Sequence, residues 1–193
     1  LGCGYVTGSG TVFNTLKPEP GSTIAVTGTG AVGLAAMMAG KISGCTKVIA
    51  IDRVPERLEL AKELGATDAI NTNDQDMVKS IQNLTDGKGV DYIVDTIGVT
   101  KVMEDAIQSL AQGGTLAPVA VTANHIDVDT WNDLCPSDRT IVGVNMGDSI
   151  PQVDIPRLIE FYKLGMFDFD KTEKFYDFDQ INQANADSVS GKT

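Results

Sequence analysis

The segment TIAVTGTGAVG, residues 23–33, constrains the fold of this chain more than any other. A short apolar run, Thr23–Thr27, ends directly in Gly28-Thr29-Gly30-Ala31-Val32-Gly33, and an apolar helical stretch, Ala31–Ile42, begins inside the same motif. A bare G-x-G-x-x-G carries little information, but one that follows a strand and opens a helix has a specific use. Gly28 permits the tight turn, Gly30 lets the backbone approach a diphosphate, and Gly33 lets the helix pack closely on the strand. The amides that open the helix, at Ala31 and Val32, then face the anion with the helix dipole behind them. The bland alternative is a turn that needs glycines for its own sake. The strand–turn–helix context speaks against it.

The rest of the chain repeats this rhythm. Strands are predicted at Thr23–Thr27, Val48–Asp52, Asp68–Asn71, Asp91–Asp95, Thr115–Val121 and Ile141–Met146. Most are nearly continuous apolar runs, as strands covered on both faces should be. Helices are predicted between them at Ala31–Ile42, Pro55–Leu64, Gln75–Leu84 and Lys101–Leu110. Such alternation signals βαβ units and a parallel sheet. With the glycine motif after the first strand of the series, the expected fold class is α/β: a Rossmann-type, doubly wound parallel six-stranded sheet of order 3-2-1-4-5-6. An entering helix, Val6–Leu16 within residues 5–17, precedes the sheet. Residues 1–146 are expected to form this domain. The segment 147–193 leaves the βα rhythm as a short α/β tail, with a helix at Val153–Leu164, a short strand at Lys174–Phe178 and a last helix at Phe178–Ser188.

Composition narrows the function. The 193 residues are 42% hydrophobic and 21% charged, with 20 glycines, which decides for a packed globular core over disorder. A formal net charge of −11 repels phosphate backbones and anionic lipid, so nucleic acid and membrane surfaces are not expected partners. Local backbone amides can still hold a diphosphate. The three cysteines, Cys3, Cys45 and Cys135, are odd in number and share no short spacing, which argues against a disulfide framework and fits a reducing cytoplasm. No stretch approaches ~20 consecutive apolar residues, and no signal peptide is visible. The chain opens at Leu1, inside the glycine-rich run LGCGYVTGSG and without methionine, and is read as an excised fragment.

Asp52 ends the second predicted strand, where an acidic side chain meets the adenosine ribose of a bound dinucleotide. A carboxylate accepts hydrogen bonds from the 2′- and 3′-hydroxyls and repels a 2′-phosphate, which favours NAD over NADP. Arg53 beside it complicates that preference, because an arginine there can accommodate the phosphate. An N-cap role for Asp52 ahead of Pro55 is compatible with both.

The motifs GCGYVTGSGTV, PGSTIAVTGTGAVGL and VIAIDRVPERLELAKELGAT, together with Asp95-Thr96-Ile97-Gly98, resemble the coenzyme domain of zinc-type medium-chain alcohol dehydrogenases over essentially the whole chain. The distal segments around Gly147–Pro151, Lys174–Tyr176 and Asp179–Ala184 resemble the aryl-alcohol (benzyl-alcohol) branch. The resemblance implies an NAD-dependent oxidoreductase that converts primary, aromatic alcohols to aldehydes by hydride transfer, with residues 147–193 returning to a catalytic domain outside this chain. It implies that Thr7 lies against the nicotinamide, Arg57 near the adenosine ribose and Ile97 beside the adenine, and that the backbone of Val119, Ala120 and Val121 meets the carboxamide. Each has a plainer reading, as a helix-start hydroxyl, a solvated charge or core. Cys3 falls where the family places one of three ligands of a catalytic zinc. The other two are expected upstream of Leu1, so zinc belongs to the intact enzyme, and the fragment is expected to bind NAD without turning over alcohol.

A homo-oligomer through the edge strand 141–146 is also expected. The alternatives are a polyol dehydrogenase or zinc-free quinone reductase of the same superfamily, or a non-enzymatic dinucleotide-sensing domain. Ser190-Gly191-Lys192-Thr193 imitates the end of a P-loop but lacks its leading glycine and preceding strand. Asn83-Leu84-Thr85 is a glycosylation triplet in spelling only. His125, in a polar loop, reads as a surface residue, and no mechanism attaches to Trp131 or Cys135.

Overall fold

Strand β1 (Thr23–Thr27) is the centre of the molecule: Ile24, Ala25 and Val26 have no solvent exposure at all. A computed structural model, which describes residues 1–190, shows why. The strand is paired in parallel on both edges, with β2 (Lys47–Asp52) on one side and β4 (Val90–Asp95) on the other. Beyond them lie β3 (Asp68–Asn71), β5 (Leu110–Pro118) and β6 (Thr140–Ile141), giving six parallel strands in the order β3-β2-β1-β4-β5-β6. This is the predicted order.

Side chains alternate across the sheet. Ile24, Val26, Val48, Ala50 and Val94 face one core, while Ala25, Ile49, Ile51 and Ile93 face a second. Helices α2 (Ala31–Ile42) and α3 (Pro55–Glu63) cover the first face; α4 (Met77–Leu84) and α5 (Thr100–Ser109) cover the second. The chain thus winds to one side after β1 and to the other after β3, opening a crevice where β1 and β4 end.

The first helix, α1 (Gly4–Gly10), lies on α2 rather than on the sheet. Its contact is backbone on backbone: a Cβ on Gly8 would stand 2.0 Å from the Val32 carbonyl oxygen. After Gly10 the predicted α-helix relaxes into a π-helix, Thr11–Leu16, which ends at Lys17 in the left-handed region (φ 49°). The hydroxyls of Ser9 and Thr11 donate back to the carbonyls of Tyr5 and Thr7 at 2.6 Å each, a competition that loosens the regular ladder. Helix α6 (Pro151–Lys163) and the segment behind it close over this layer, burying Leu158 and Phe167 in the first core. The Tyr5 hydroxyl donates to Glu173 at 2.6 Å and fastens the tail to α1.

Several predicted boundaries are corrected. Helix α5 stops at Ser109, and β5 begins at Leu110 with a register shift opposite Val90–Tyr92. Strand β5 ends at Pro118, so Val119–Val121 are not strand. Strand β6 covers Thr140–Ile141, with Val142 N–H reaching the Leu116 carbonyl, and not Ile141–Met146. Proline explains this. The Val119 amide donates to Asp95 on the β4 side, so the amide that Pro118 lacks belongs on the β6 side, and the ladder stops there. The predicted strand Lys174–Phe178 is absent, because it has no neighbour to pair with. Instead Lys174 Nζ (2.9 Å) and the Tyr176 hydroxyl (2.7 Å) donate to Asp187 on α7 (Ile181–Ser190). A short 3₁₀ turn, Phe178–Gln180, with an Asp177/Gln180 capping box, precedes α7. Residues 191–193 of the P-loop imitation lie outside the described residues.

The α1–α2 contact has no room for a methyl group. Gly8→Ala is expected to cost about 1–3 kcal/mol, which lowers the melting temperature by roughly 2–4 °C for each kcal/mol in a chain of this size. Urea midpoints equal to the parent's would show that the two helices can separate freely.

Candidate dinucleotide site

The glycine motif folds into three different environments. Gly28 has φ +85°, the left-handed region that L side chains avoid, and its own carbonyl oxygen lies 1.8 Å from where a Cβ on Gly33 would stand. That contact seats α2 on the end of β1. Gly30 differs from both: its φ is −79°, and a Cβ there would meet no heavy atom within 4 Å. Its lack of a side chain is required by nothing in the protein, and the space in front of it is free for a ligand.

Gly30 is the N-cap of α2 and provides no side-chain cap. The first bond of the helix runs from Leu34 N–H to the Gly30 carbonyl at 2.9 Å. The amides of Ala31, Val32 and Gly33 therefore lack intrahelical partners and lie at the positive end of a twelve-residue helix. A diphosphate satisfies such donors.

Asp52 sits beside this turn, 8% exposed, and its carboxylate is held by four donors. Oδ2 accepts from the Thr29 amide (2.8 Å) and the Thr29 hydroxyl (2.7 Å); Oδ1 accepts from the amides of Arg53 (2.7 Å) and Val54 (3.0 Å). Burial by itself pushes the carboxyl up, but the four hydrogen bonds outweigh it and hold Asp52 below the ordinary carboxylate range.

A cavity of about 650 Å³ brings Gly28, Gly30, Ala31, Val32, Asp52, Arg53, Arg57 and Ile97 together. A second, of about 1010 Å³, adjoins it across Gly30, Ala31 and Arg57 and runs beneath the tail. Thr96, Thr72, Asn73 and Val99 also line the first cavity, and sequence reading missed them. The Thr96 hydroxyl donates to the Thr27 carbonyl at 2.7 Å, which fixes the turn after β4 against that after β1. The fully buried Asp95 holds the same turn by accepting from the Gly98 amide at 2.9 Å. The signal for Thr96 was its place directly after a strand end adjoining β1, which only the sheet order reveals.

Other predicted residues stand apart. Thr7 lies on α1, and neither cavity includes it. Val119 packs on the first core, Ala120 lies against Gly98, and Val121 is fully exposed, so these three do not join the cavity. Cys3 is exposed, and no cluster of three histidine, cysteine or acidic side chains suited to a metal occurs among the described residues. These residues do not by themselves make a zinc site. His125 is exposed and contributes only its carbonyl, to the Thr100 hydroxyl at 2.7 Å. No helix among the described residues is long and apolar enough to cross a membrane.

Comparison with known proteins identifies the family and the fold. The profile of a family described as zinc-binding dehydrogenase matches residues 31–163. The chain is 38% identical over 186 residues to geraniol dehydrogenase of Castellaniella defragrans, covering 95% of this chain and 50% of that protein. It is 36% identical over 188 residues to the class-3 alcohol dehydrogenase of Myxine glutinosa, with 95% and 50% covered. The solved benzyl alcohol dehydrogenase of Acinetobacter calcoaceticus superposes with a TM-score of 0.95 at 42% identity, over 100% of this chain and 53% of that one. The chain spans about half the length of the curated relatives it matches.

The lowered Asp52 pKa fixes the sign of a pH effect. The folded group titrates below its unfolded value, so its stabilisation is complete above the ordinary value of 3.8 and is lost as pH falls below it. Asp52→Asn turns an amide toward the Thr29 N–H and is expected to cost about 2–3 kcal/mol at pH 7. Unfolding in urea should show this gap narrowing toward pH 3; a gap independent of pH would refute the assignment.

Proposed function

The chain belongs to the zinc-binding dehydrogenase family, and on that premise we propose that it is the NAD-binding half of an alcohol dehydrogenase. The observation that carries this reading is the open space before Gly30, with uncapped helix amides on one side and the Asp52 carboxylate on the other. The α2 amides bind the diphosphate, Asp52 takes the hydroxyls of the adenosine ribose, and Ile97 and Val99 wall the adenine. Arg57, on the boundary of both cavities, adds positive charge beside the sugar and phosphates. NAD is preferred over NADP because a 2′-phosphate would meet the charged Asp52.

Bound here, NAD would supply the hydride acceptor for oxidation of an alcohol; the part of this chain's residues is to bind and orient it. Thr7, Val119, Ala120 and Val121 belong to the nicotinamide end, beyond the cavity that holds the adenosine. Cys3 is the one thiolate this chain contributes to a zinc site completed by residues outside it. The 42% identity with a benzyl alcohol dehydrogenase supports an aromatic primary alcohol as the substrate of the whole protein.

Titration calorimetry tests the reading. NAD is expected to bind the chain more tightly than NADP, and Gly30→Ala should weaken binding at a cost in stability no larger than that of a changed N-cap, about 1 kcal/mol, since no protein atom opposes the added Cβ. Heat with neither coenzyme would sink the proposal. Oxidation of benzyl alcohol by this chain alone would defeat the division of labour between it and the residues that complete the zinc site.

A further inference from the structure

The four donors on Asp52 fill it. An ionised carboxylate offers about four lone-pair positions, and the chain's own groups occupy all of them: the amides of Thr29, Arg53 and Val54, and the Thr29 hydroxyl. Each ribose hydroxyl that donates to these two oxygens is one donor more than they can accept, so for the first of them one resident must leave. Three of the residents are backbone amides, fixed by the turn after β1 and the turn after β2. The Thr29 hydroxyl alone can withdraw by rotating a single side-chain bond.

It also has somewhere to go. Asp52 lines the 650 Å³ cavity, whereas Thr29 lines the adjoining 1010 Å³ cavity. Thr29 is itself 2% exposed, so the adjoining cavity that it borders is the space into which its hydroxyl would turn. In the closed arrangement it keeps a carboxylate that is 8% exposed fully hydrogen-bonded, so no buried acceptor is left without a partner before coenzyme arrives.

We propose that Thr29 is a specificity-determining residue of the coenzyme site: its hydroxyl stands in for a ribose hydroxyl on Asp52 and must be displaced by it. The proposal rests on the assignment of Asp52 to the ribose. It makes Thr29 a resident competitor of the coenzyme. Removing the hydroxyl while keeping the shape should therefore strengthen binding.

The test is calorimetry on Thr29→Val, which is nearly isosteric and keeps the backbone bond to Oδ2, beside Thr29→Ser and Asp52→Ala. Thr29→Val is expected to bind NAD and ADP-ribose roughly three- to tenfold more tightly, the scale of one ordinary hydrogen bond. Thr29→Ser should return the parent affinity, and inorganic pyrophosphate, which carries no sugar hydroxyl, should bind parent and variant alike. Equal or weaker NAD binding by Thr29→Val, with Asp52→Ala still losing affinity, overturns the competitor role and leaves the ribose assignment standing. Asp52→Ala binding NAD as the parent does overturns the assignment itself and the competitor role with it. Should Thr29→Val melt below the assay temperature, Thr29→Ala gives the same comparison.

Discussion

The seating of α2 on β1 governs the rest of the structure. It is a contact between the Gly28 carbonyl and the Gly33 backbone so close that a single methyl group has no place in it. From it two further close approaches follow in sequence. Gly8 of α1 lies on the Val32 carbonyl of α2, and Gly10 of the same helix lies on the Gly147 carbonyl in the turn before α6. Sheet, helix, helix and tail are thus stacked through backbone surfaces, where side-chain volume would hold them apart. Interiors pack this densely because every missing contact forfeits dispersion energy.

The same geometry creates the site. A helix seated directly on the strand end directs its uncapped amides over the crevice between β1 and β4, and the turn that seats it directs the Thr29 amide onto Asp52. An acidic chain of net charge −11 can thereby present a local positive potential. Asp52 remains ionised in a nearly buried position because four donors replace the water it gave up. The site is built from backbone dipoles more than from charged side chains, and so it survives the unfavourable charge of the whole molecule.

The fold was largely legible in the sequence. Apolar β-branched runs and the glycine motif placed β1 to β4 within a residue of their observed ends, and the order of the sheet followed from the motif's known architecture. Gly28, Gly30 and Asp52 were legible from their places after β1 and at the end of β2, whereas Arg57 and Ile97, which line the same cavity, came only from the family resemblance. The errors fell where local pattern lacks information about neighbours. Lys174–Phe178 is aromatic-rich like a short strand, but a strand needs a partner to bond. Ile141–Met146 is apolar enough to extend, but Pro118 on the adjoining strand removes the donor it would need.

What the sequence determined by itself was the set of local commitments: where strands begin, where glycine is indispensable, and which carboxylate follows the second strand. Those depend on backbone sterics and on a periodicity that spans a few residues. The tertiary structure decided which groups share a lone pair. Thr29 and Asp52 are 23 positions apart, and Thr96 and Thr27 are 69 apart. Their hydrogen bonds exist only because parallel pairing brings the ends of three strands side by side. Hydrogen bonding acts over about 3 Å, so no pattern along the chain can encode it until the sheet has folded.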